Sequence, residues 1–81
     1  MTVLLFGVTK DIVGSSSLSI PMSRSSRFTR VSDLKEFLGT NYPGLKSLSS
    51  LAIAVNKKYA KDEDTITNFD EIALIPPVSG G

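Results

Sequence analysis

The chain contains no cysteine and no histidine. The absence of cysteine excludes disulfides, thiolate nucleophiles, iron–sulfur ligation and zinc sites of the Cys/His kind. The absence of histidine removes the usual general base of a Ser-His-Asp triad, so the many serines are not candidate nucleophiles by that route. Catalytic and metal-binding chemistries that require cysteine or histidine are therefore excluded.

Long apolar segments and a strong net charge are also missing. No apolar run approaches the ~20 residues that span a bilayer, and the first residues carry no basic region typical of a signal peptide. A net charge of +1 gives no reason to expect nucleic acid or an acidic membrane as a partner. Because absent cysteine is compatible with a reducing compartment, we expect a cytoplasmic protein without membrane or nucleic-acid partners.

The remaining composition fits one small domain. The chain has 81 residues, of which 41% are hydrophobic, as in an ordinary globular protein. A chain of this length buries only about 60% of its unfolded surface. We therefore expect a small core and modest stability, to which a bound partner would add.

The first secondary-structure signal is a continuous apolar run over residues 2–8, which is typical of a strand covered on both faces or meeting a partner. Alternation sets Val3 and Leu5 on one face, and Leu4 and Phe6 on the other. Residues 9–14 predict a turn or a single helical turn that ends at Gly14.

A second strand is predicted over residues 17–22, where polar and apolar side chains alternate. It would form a hairpin with the first strand, and Pro21 favours a sheet edge or a strand end. Residues 23–30 follow as a polar loop with three arginines. Phosphate binding is one interpretation of this loop, but an ordinary solvated loop is favoured.

One main helix is predicted from Val31 to about residue 42, because four apolar side chains recur at helical spacing. These are Val31, Leu34, Phe37 and Leu38. Either Thr29 or Ser32 could cap its start, and the sequence does not choose between them. Beyond the helix, residues 45–51 predict an irregular or short helical connection.

The second half of the chain predicts three further strands: residues 51–55, a very short strand from Tyr59, and residues 72–75. The loop between the last two carries two apolar anchors, Ile66 and Phe69. The order of elements is that of an α+β protein with two layers. It matches the β-grasp fold, a mixed sheet of four to five strands packed on one main helix, with the first and last strands adjacent at its centre. We expect this domain to span residues 1–75.

The end of the chain, residues 76–81, predicts an extended tail. Pro76 and Pro77 lack an N–H and cannot continue a sheet ladder, so they favour an extended path. Gly80 and Gly81 carry no side chain and allow a terminal carboxylate to enter a narrow channel in another protein. This arrangement indicates a carboxylate presented for chemistry.

With these features the chain resembles the ubiquitin-like sulfur carriers, and among them the molybdopterin synthase small subunits most. The resemblance covers the whole chain and is most specific in the last thirty residues. It is carried by Val3-Leu4-Leu5-Phe6-Gly7, Ile12-Val13-Gly14, Ala54-Val55-Asn56, Asp70-Glu71-Ile72-Ala73 and Pro76-Pro77-Val78-Ser79-Gly80-Gly81.

The resemblance implies a chemical role for Gly81. An ATP-dependent activating enzyme of the ubiquitin-E1 type would join its carboxylate to AMP, and sulfur would then replace AMP to give a thiocarboxylate. The tail would enter the large synthase subunit, in a heterotetramer with two of each subunit, and donate sulfur to a cyclic pterin precursor of the molybdenum cofactor. The chain would be no enzyme by itself and would hold no permanent cofactor, only covalent AMP and then sulfur on Gly81.

The resemblance also implies a partner-binding surface beside the tail. If Val3 and Leu5 face the helix, Phe6 points away from it and lies beside Ile75 of the last strand. Tyr59 falls at the matching position of the family's patch. We expect this apolar patch to dock partners, together with the tail residues Pro76, Pro77, Val78 and Ser79, while Gly80 provides access to Gly81.

Two alternatives remain open at this point. One is a related carrier or modifier, which would serve thiazole synthesis or tRNA thiolation, or be conjugated to lysines. The other is a β-grasp interaction module whose Gly80-Gly81 end is inert.

Overall fold

The computed structural model describes residues 1–48 and 51–76. In the described residues, strands and helices alternate at first, and three consecutive helices and then three consecutive strands follow. The third helix is the longest of those described. In chain order the elements are β1 (Thr2–Leu5), α1 (Val8–Val13), β2 (Ser17–Ser19), α2 (Met22–Ser25), α3 (Val31–Asn41), α4 (Pro43–Lys46), β3 (Ala52–Val55), β4 (Lys58–Ala60) and β5 (Ile72–Ile75). In the described ranges, no helix has the length and apolarity needed to cross a bilayer.

The strands form one mixed sheet in the order β2-β1-β5-β3-β4 across the described part of the chain. β1 and β5 run parallel at its centre, with Val3 opposite Ile72 and Leu5 opposite Leu74. β2 pairs antiparallel with β1, and β3 pairs antiparallel with both β5 and β4. The prediction of a mixed sheet with adjacent central first and last strands is therefore confirmed, as is the hairpin of β1 and β2.

The core lies between one face of this sheet and the helices. Side chains alternate between the two faces of β1 and β5 as predicted, and the inward-facing ones are all buried: Val3, Leu5, Ile72 and Leu74. The whole buried apolar set is Val3, Leu5, Ile20, Val31, Leu34, Leu38, Leu45, Ile53, Ile66, Ile72 and Leu74.

The main helix, α3, covers the sheet with the face that the apolar spacing predicts. Val31, Leu34 and Leu38 are completely or almost completely buried, and Phe37 is half-buried at the edge of this face. Phe37 packs against Phe28 with ring centroids 5.3 Å apart, a normal separation for a favourable aromatic pair.

The cap of α3 corrects the prediction, because neither Thr29 nor Ser32 is the N-cap residue. Arg30 takes that position with extended backbone angles, and Asp33 in the first turn reaches back instead. Its carboxylate accepts hydrogen bonds from the backbone N–H groups of Thr29 and Arg30, at 2.9 and 3.0 Å. These bonds favour the charged form and lower the pKa of Asp33.

Two further predictions are corrected between β2 and α3. The second strand is shorter than expected, because β2 ends at Ser19 and the chain turns at Pro21 into α2. The segment 23–30 is therefore not entirely a loop. The hydroxyl of Ser25 in α2 is buried and donates to the side-chain oxygen of Asn68 at 2.5 Å, so this segment is tied to the loop before β5.

The two apolar anchors predicted in the loop before β5 behave differently. Ile66 is buried in the core as expected, but Phe69 is 93% exposed. Phe69 lies in a turn closed by the N–H of Asp70, which donates to the carbonyl of Thr67 at 3.2 Å. The prediction that Phe69 anchors the loop is wrong.

Replacing Leu34 by alanine should test the packing of α3 on the sheet. Leu34 is fully buried, and removing such a side chain leaves a cavity that lowers the free energy of unfolding by about 2–5 kcal/mol. Urea denaturation followed by circular dichroism measures this change. Met22→Ala is the control, because Met22 is 61% exposed and its loss should change the value by less than about 0.5 kcal/mol. Equal stability of Leu34→Ala and wild type would contradict this packing.

Candidate functional site

The face of the sheet opposite α3 carries the candidate site. The alternation that buries Val3, Leu5, Ile72 and Leu74 directs the side chains between them to this second face. There they line a shallow groove of about 300 Å³. Its lining residues are Leu4, Phe6, Ala54, Lys57, Tyr59, Glu71, Ala73 and Ile75.

The register of four strands gives the groove its shape. One row across the sheet places Leu4 beside Ala73, Ala73 beside Ala54, and Ala54 beside Tyr59. Cross-strand neighbours on one face lie about 5 Å apart, so the two alanines make a low floor between two large side chains. The groove therefore follows from the sizes of four side chains in one row.

Phe6 and Ile75 form the apolar end of the groove. The register sets Leu5 opposite Leu74, so Phe6 comes level with Ile75 one residue further along. Phe6 is 49% exposed and Tyr59 is 76% exposed, while Ile75 is half-buried. The structure thus brings the three predicted patch residues to one groove outside the core, and their partner-binding role stays a prediction.

The opposite end of the groove is polar. Lys57 lies in the turn between β3 and β4, and Glu71 directly precedes β5. These ends meet because β3 runs antiparallel to β5. The groove therefore passes from one cation and one anion to two apolar side chains, a distribution suited to binding an amphipathic protein surface.

The polar end is held by hydrogen bonds between two turns. Asn56 and Lys57 have positive φ angles of 53° and 70°, as a tight hairpin turn requires. The Asn56 side chain donates to a carboxylate oxygen of Asp70 at 2.9 Å and accepts the N–H of Glu71 at 2.9 Å. The N–H of Thr67 donates to the other Asp70 oxygen at 2.7 Å. These bonds lower the pKa of Asp70, with the Asn56 contact as the largest cause.

At the apolar end the chain turns sharply after Phe6. The buried Thr9 hydroxyl accepts the N–H of Phe6 at 3.0 Å. Gly7 follows with a φ of +54°, an angle that favours glycine. The backbone of Phe6 is therefore held at its N–H by Thr9 and is followed directly by the turn at Gly7.

The tail begins at the same end of the sheet. Pro76 is half-buried and directly follows β5. The predicted site residues Pro77, Val78, Ser79, Gly80 and Gly81 lie outside the described residues, so their roles stay predictions. Within residues 1–48 and 51–76, no group of three or more acidic, cysteine or histidine side chains is arranged to hold a metal ion.

Sequence reasoning identified Phe6, Tyr59 and Ile75 but missed the floor of the groove. The alternation already sends Leu4 and Ala73 to the outer face, and Ala54 follows from its position beside buried Ile53. What the sequence does not reveal is which of these residues are opposite one another, because strand register depends on contacts distant in sequence.

Comparison with known proteins gives a family and close relatives. The model of the ThiS family matches residues 3–81. The molybdopterin synthase sulfur carrier subunit of Dictyostelium discoideum is 39% identical, over 98% of this chain and 93% of that protein. The subunit of the same name from Arabidopsis thaliana is 32% identical, over 98% of this chain and 80% of that protein.

A solved structure extends the comparison to the fold. SAMP1 from Haloferax volcanii superposes with a TM-score of 0.76 and 25% sequence identity, and the match covers 99% of this chain and 97% of that one. Together with the mixed sheet and its long helix α3, this likeness confirms the predicted β-grasp fold.

The hydrogen bonds around Asp70 predict how stability depends on pH. The folded state depresses the pKa of Asp70 below its value in the unfolded chain. The ionised Asp70 carboxylate therefore stabilises the folded state fully above the unfolded pKa of about 4. This contribution is lost as the pH falls through the lower folded pKa. Asp70→Asn does not titrate, so its free energy of unfolding should fall less steeply below pH 4 than that of wild type.

Urea denaturation at a series of pH values measures both slopes. Asp11→Asn is the matched control, because Asp11 is an exposed aspartate on α1 and its replacement should leave the slope close to that of wild type. Identical slopes for wild type and Asp70→Asn would contradict the hydrogen bonds that link Asn56 to Asp70.

Proposed function

The chain belongs to the ThiS family, as its resemblance to the ubiquitin-like sulfur carriers predicted, and we propose that it is the sulfur carrier subunit of a molybdopterin synthase. The relatives that carry this name match nearly the whole chain. In this role the chain is a non-catalytic small subunit, and the acid and base groups of the reaction come from its partners.

The observation that carries the proposal is the position of the groove relative to the tail. Ile75 lines the groove and the next residue, Pro76, leaves the sheet. A partner that covers Phe6 and Ile75 therefore lies directly beside the segment that leads to Gly80 and Gly81. Docking and delivery of the carboxylate then take place on one side of the domain.

The proposed cycle begins with activation, because a carboxylate is a poor electrophile at neutral pH. The Gly81 carboxylate attacks the α-phosphate of ATP, which gives an acyl-adenylate and releases pyrophosphate. A sulfur nucleophile at the oxidation level of sulfide then attacks the acyl carbon, AMP leaves, and Gly81 ends in a thiocarboxylate. The thiocarboxylate sulfur attacks a carbon of the cyclic pterin precursor and displaces an oxygen substituent, which gives a thioester. Water then cleaves the acyl–sulfur bond, which leaves the sulfur on the precursor and restores the Gly81 carboxylate.

The resemblance to the sulfur carriers implies two partners for this cycle. One is an ATP-dependent activating enzyme of the ubiquitin-E1 type, and the other is the large synthase subunit, in a heterotetramer with two copies of each chain. The groove is small, so both partners would use the same side chains, Phe6, Tyr59 and Ile75. Their binding is then mutually exclusive, and release from the activating enzyme must precede sulfur transfer.

Deleting Gly81 should abolish adenylation and thiocarboxylate formation while the fold persists, because the described core contains only residues before the tail. Intact-protein mass spectrometry after incubation with ATP, an activating enzyme and a sulfur donor measures the exchange of one oxygen for sulfur. Gly80→Val should fold normally but load poorly, since a β-branched side chain obstructs a narrow channel. A sulfur gain at the new end of the deletion variant would contradict the role of Gly81.

Removing an apolar side chain from the groove should weaken both complexes. Phe6→Ala and Ile75→Ala should each cost about 1–3 kcal/mol of binding free energy, as expected for an interface anchor, with little loss of fold stability. Isothermal titration calorimetry with each partner gives these values. Phe69→Ala is the matched control, because Phe69 is more exposed than Phe6 but does not line the groove. Equal losses for Phe6→Ala and Phe69→Ala would argue against docking through the groove.

Conjugation to lysines is a second candidate, favoured by the likeness to SAMP1, whose full name is small archaeal modifier protein 1. Activation at Gly81 is common to both functions, and the fate of the acyl group separates them. A carrier transfers sulfur and recovers its carboxylate, whereas a modifier forms an amide with a lysine and is found in a product of higher mass.

A further inference from the structure

We propose that Gly7 and Thr9 position the tail, by forming a seat against which the ring of Pro76 packs. The tail seat consists of Gly7, Thr9 and the backbone of Phe6, between β1 and α1. This inference rests on the proposed function, because it concerns how Gly81 is presented to a partner.

The first element of the tail seat is Gly7, where any side chain would contact the ring of Pro76. Gly7 has φ +54° and ψ −132°, a combination that side chains rarely adopt. A Cβ added to Gly7 would lie 3.0 Å from Cγ of Pro76 and 4.0 Å from its Cβ. The Gly7 backbone is therefore closely apposed to the proline ring, and the missing side chain makes room for it.

The second element is the buried hydroxyl of Thr9, which satisfies a carbonyl that Pro76 leaves without a partner. If the parallel register of β1 and β5 continued, the N–H of residue 76 would reach the carbonyl of Phe6. Proline has no N–H. The hydroxyl of Thr9 donates to this carbonyl at 2.5 Å, and the Thr9 N–H donates to it at 3.1 Å.

The tail seat therefore couples the direction of the tail to the wall of the groove. Thr9 fixes the backbone of Phe6, which lines the groove, while Gly7 receives Pro76, which starts the tail. A partner that holds Phe6 and Ile75 then meets Pro76, the first residue of the tail, in a fixed position. Such alignment makes entry of the tail an intramolecular step within the complex.

The substitution Gly7→Ala should separate positioning from binding. The groove is unchanged, so the KM of the activating enzyme for this chain should stay within about twofold, while misdirection of the tail should lower kcat about tenfold or more. The measurement is the steady-state rate of thiocarboxylate formation at varied concentrations of the carrier.

Gly14→Ala is the control for the loss of a glycine at positive φ, and its backbone lies in the left-handed helical region, whereas that of Gly7 does not. Gly14 ends the same helix, α1, with φ +91°, and an added Cβ there would meet nothing within 4 Å. Both variants lose a glycine at positive φ, but only Gly7→Ala contacts the proline. We expect Gly14→Ala to lower the melting temperature and to keep kcat close to that of wild type.

Pro76→Ala tests the contact itself, because it removes Cγ and keeps Cβ. In the Pro76→Ala background, Gly7→Ala should lower kcat by a smaller factor than it does in the wild-type background. A Gly7→Ala loss that is equally large with and without the Pro76→Ala substitution would overturn the seat, since the loss would then come from backbone strain alone.

The pair Thr9→Val and Thr9→Ser keeps the test available if Gly7→Ala does not fold. Valine removes the hydroxyl at nearly constant volume and should lower kcat and, because Thr9 also holds the backbone of Phe6, raise KM. Serine keeps the hydroxyl and should keep both values close to those of wild type. Equal kcat values for these two variants would overturn the role of the hydroxyl.

The outcome for wild type separates the two proposals. A wild-type chain that gains no sulfur overturns the proposed function before any variant is compared. A wild-type chain that loads, with Gly7→Ala and Gly14→Ala equal to each other in kcat, overturns the tail seat alone.

Discussion

The parallel pairing of β1 with β5 is the interaction on which the rest of the structure depends. It joins two segments separated by nearly the whole chain, so its formation requires closure of a long loop. Once it forms, α3 covers one face of both strands, and the same register puts Phe6 beside Ile75 on the other. The core, the groove and the position of Pro76 at the start of the tail are thus consequences of one strand pair. Because both faces of this pair are used, its apolar sequence is continuous.

Much of this arrangement was predictable because it depends on local patterns. Alternation assigned Val3 and Leu5 to the core and Phe6 to the outer face, and the helical spacing identified α3. The cap by Asp33 was not predictable, since Thr29, Ser32 and Asp33 all have competent oxygens and tertiary contacts decide among them. Phe69 was misassigned because hydrophobicity alone does not say whether a turn points inward.

The walls of the groove could be predicted from the sequence, but its floor could not. Its walls are large apolar residues that hydrophobic patterns reveal, whereas its floor consists of Ala54 and Ala73, which carry little signal of their own. They form a floor only because the β3–β5 register sets them opposite each other. Register is a property of the assembled sheet, so the shape of a surface between strands is harder to infer than the strands themselves.

With partners docked in the groove as proposed, the two-alanine floor also means that recognition can be changed without altering the core. Ala54 and Ala73 face away from α3, so a larger side chain at either position would fill the groove while the buried layer stays intact. A partner with a correspondingly shortened side chain would then fit the altered carrier and leave a void against the original one. The same fold could in this way support parallel carrier–partner pairs within one cell that do not exchange components.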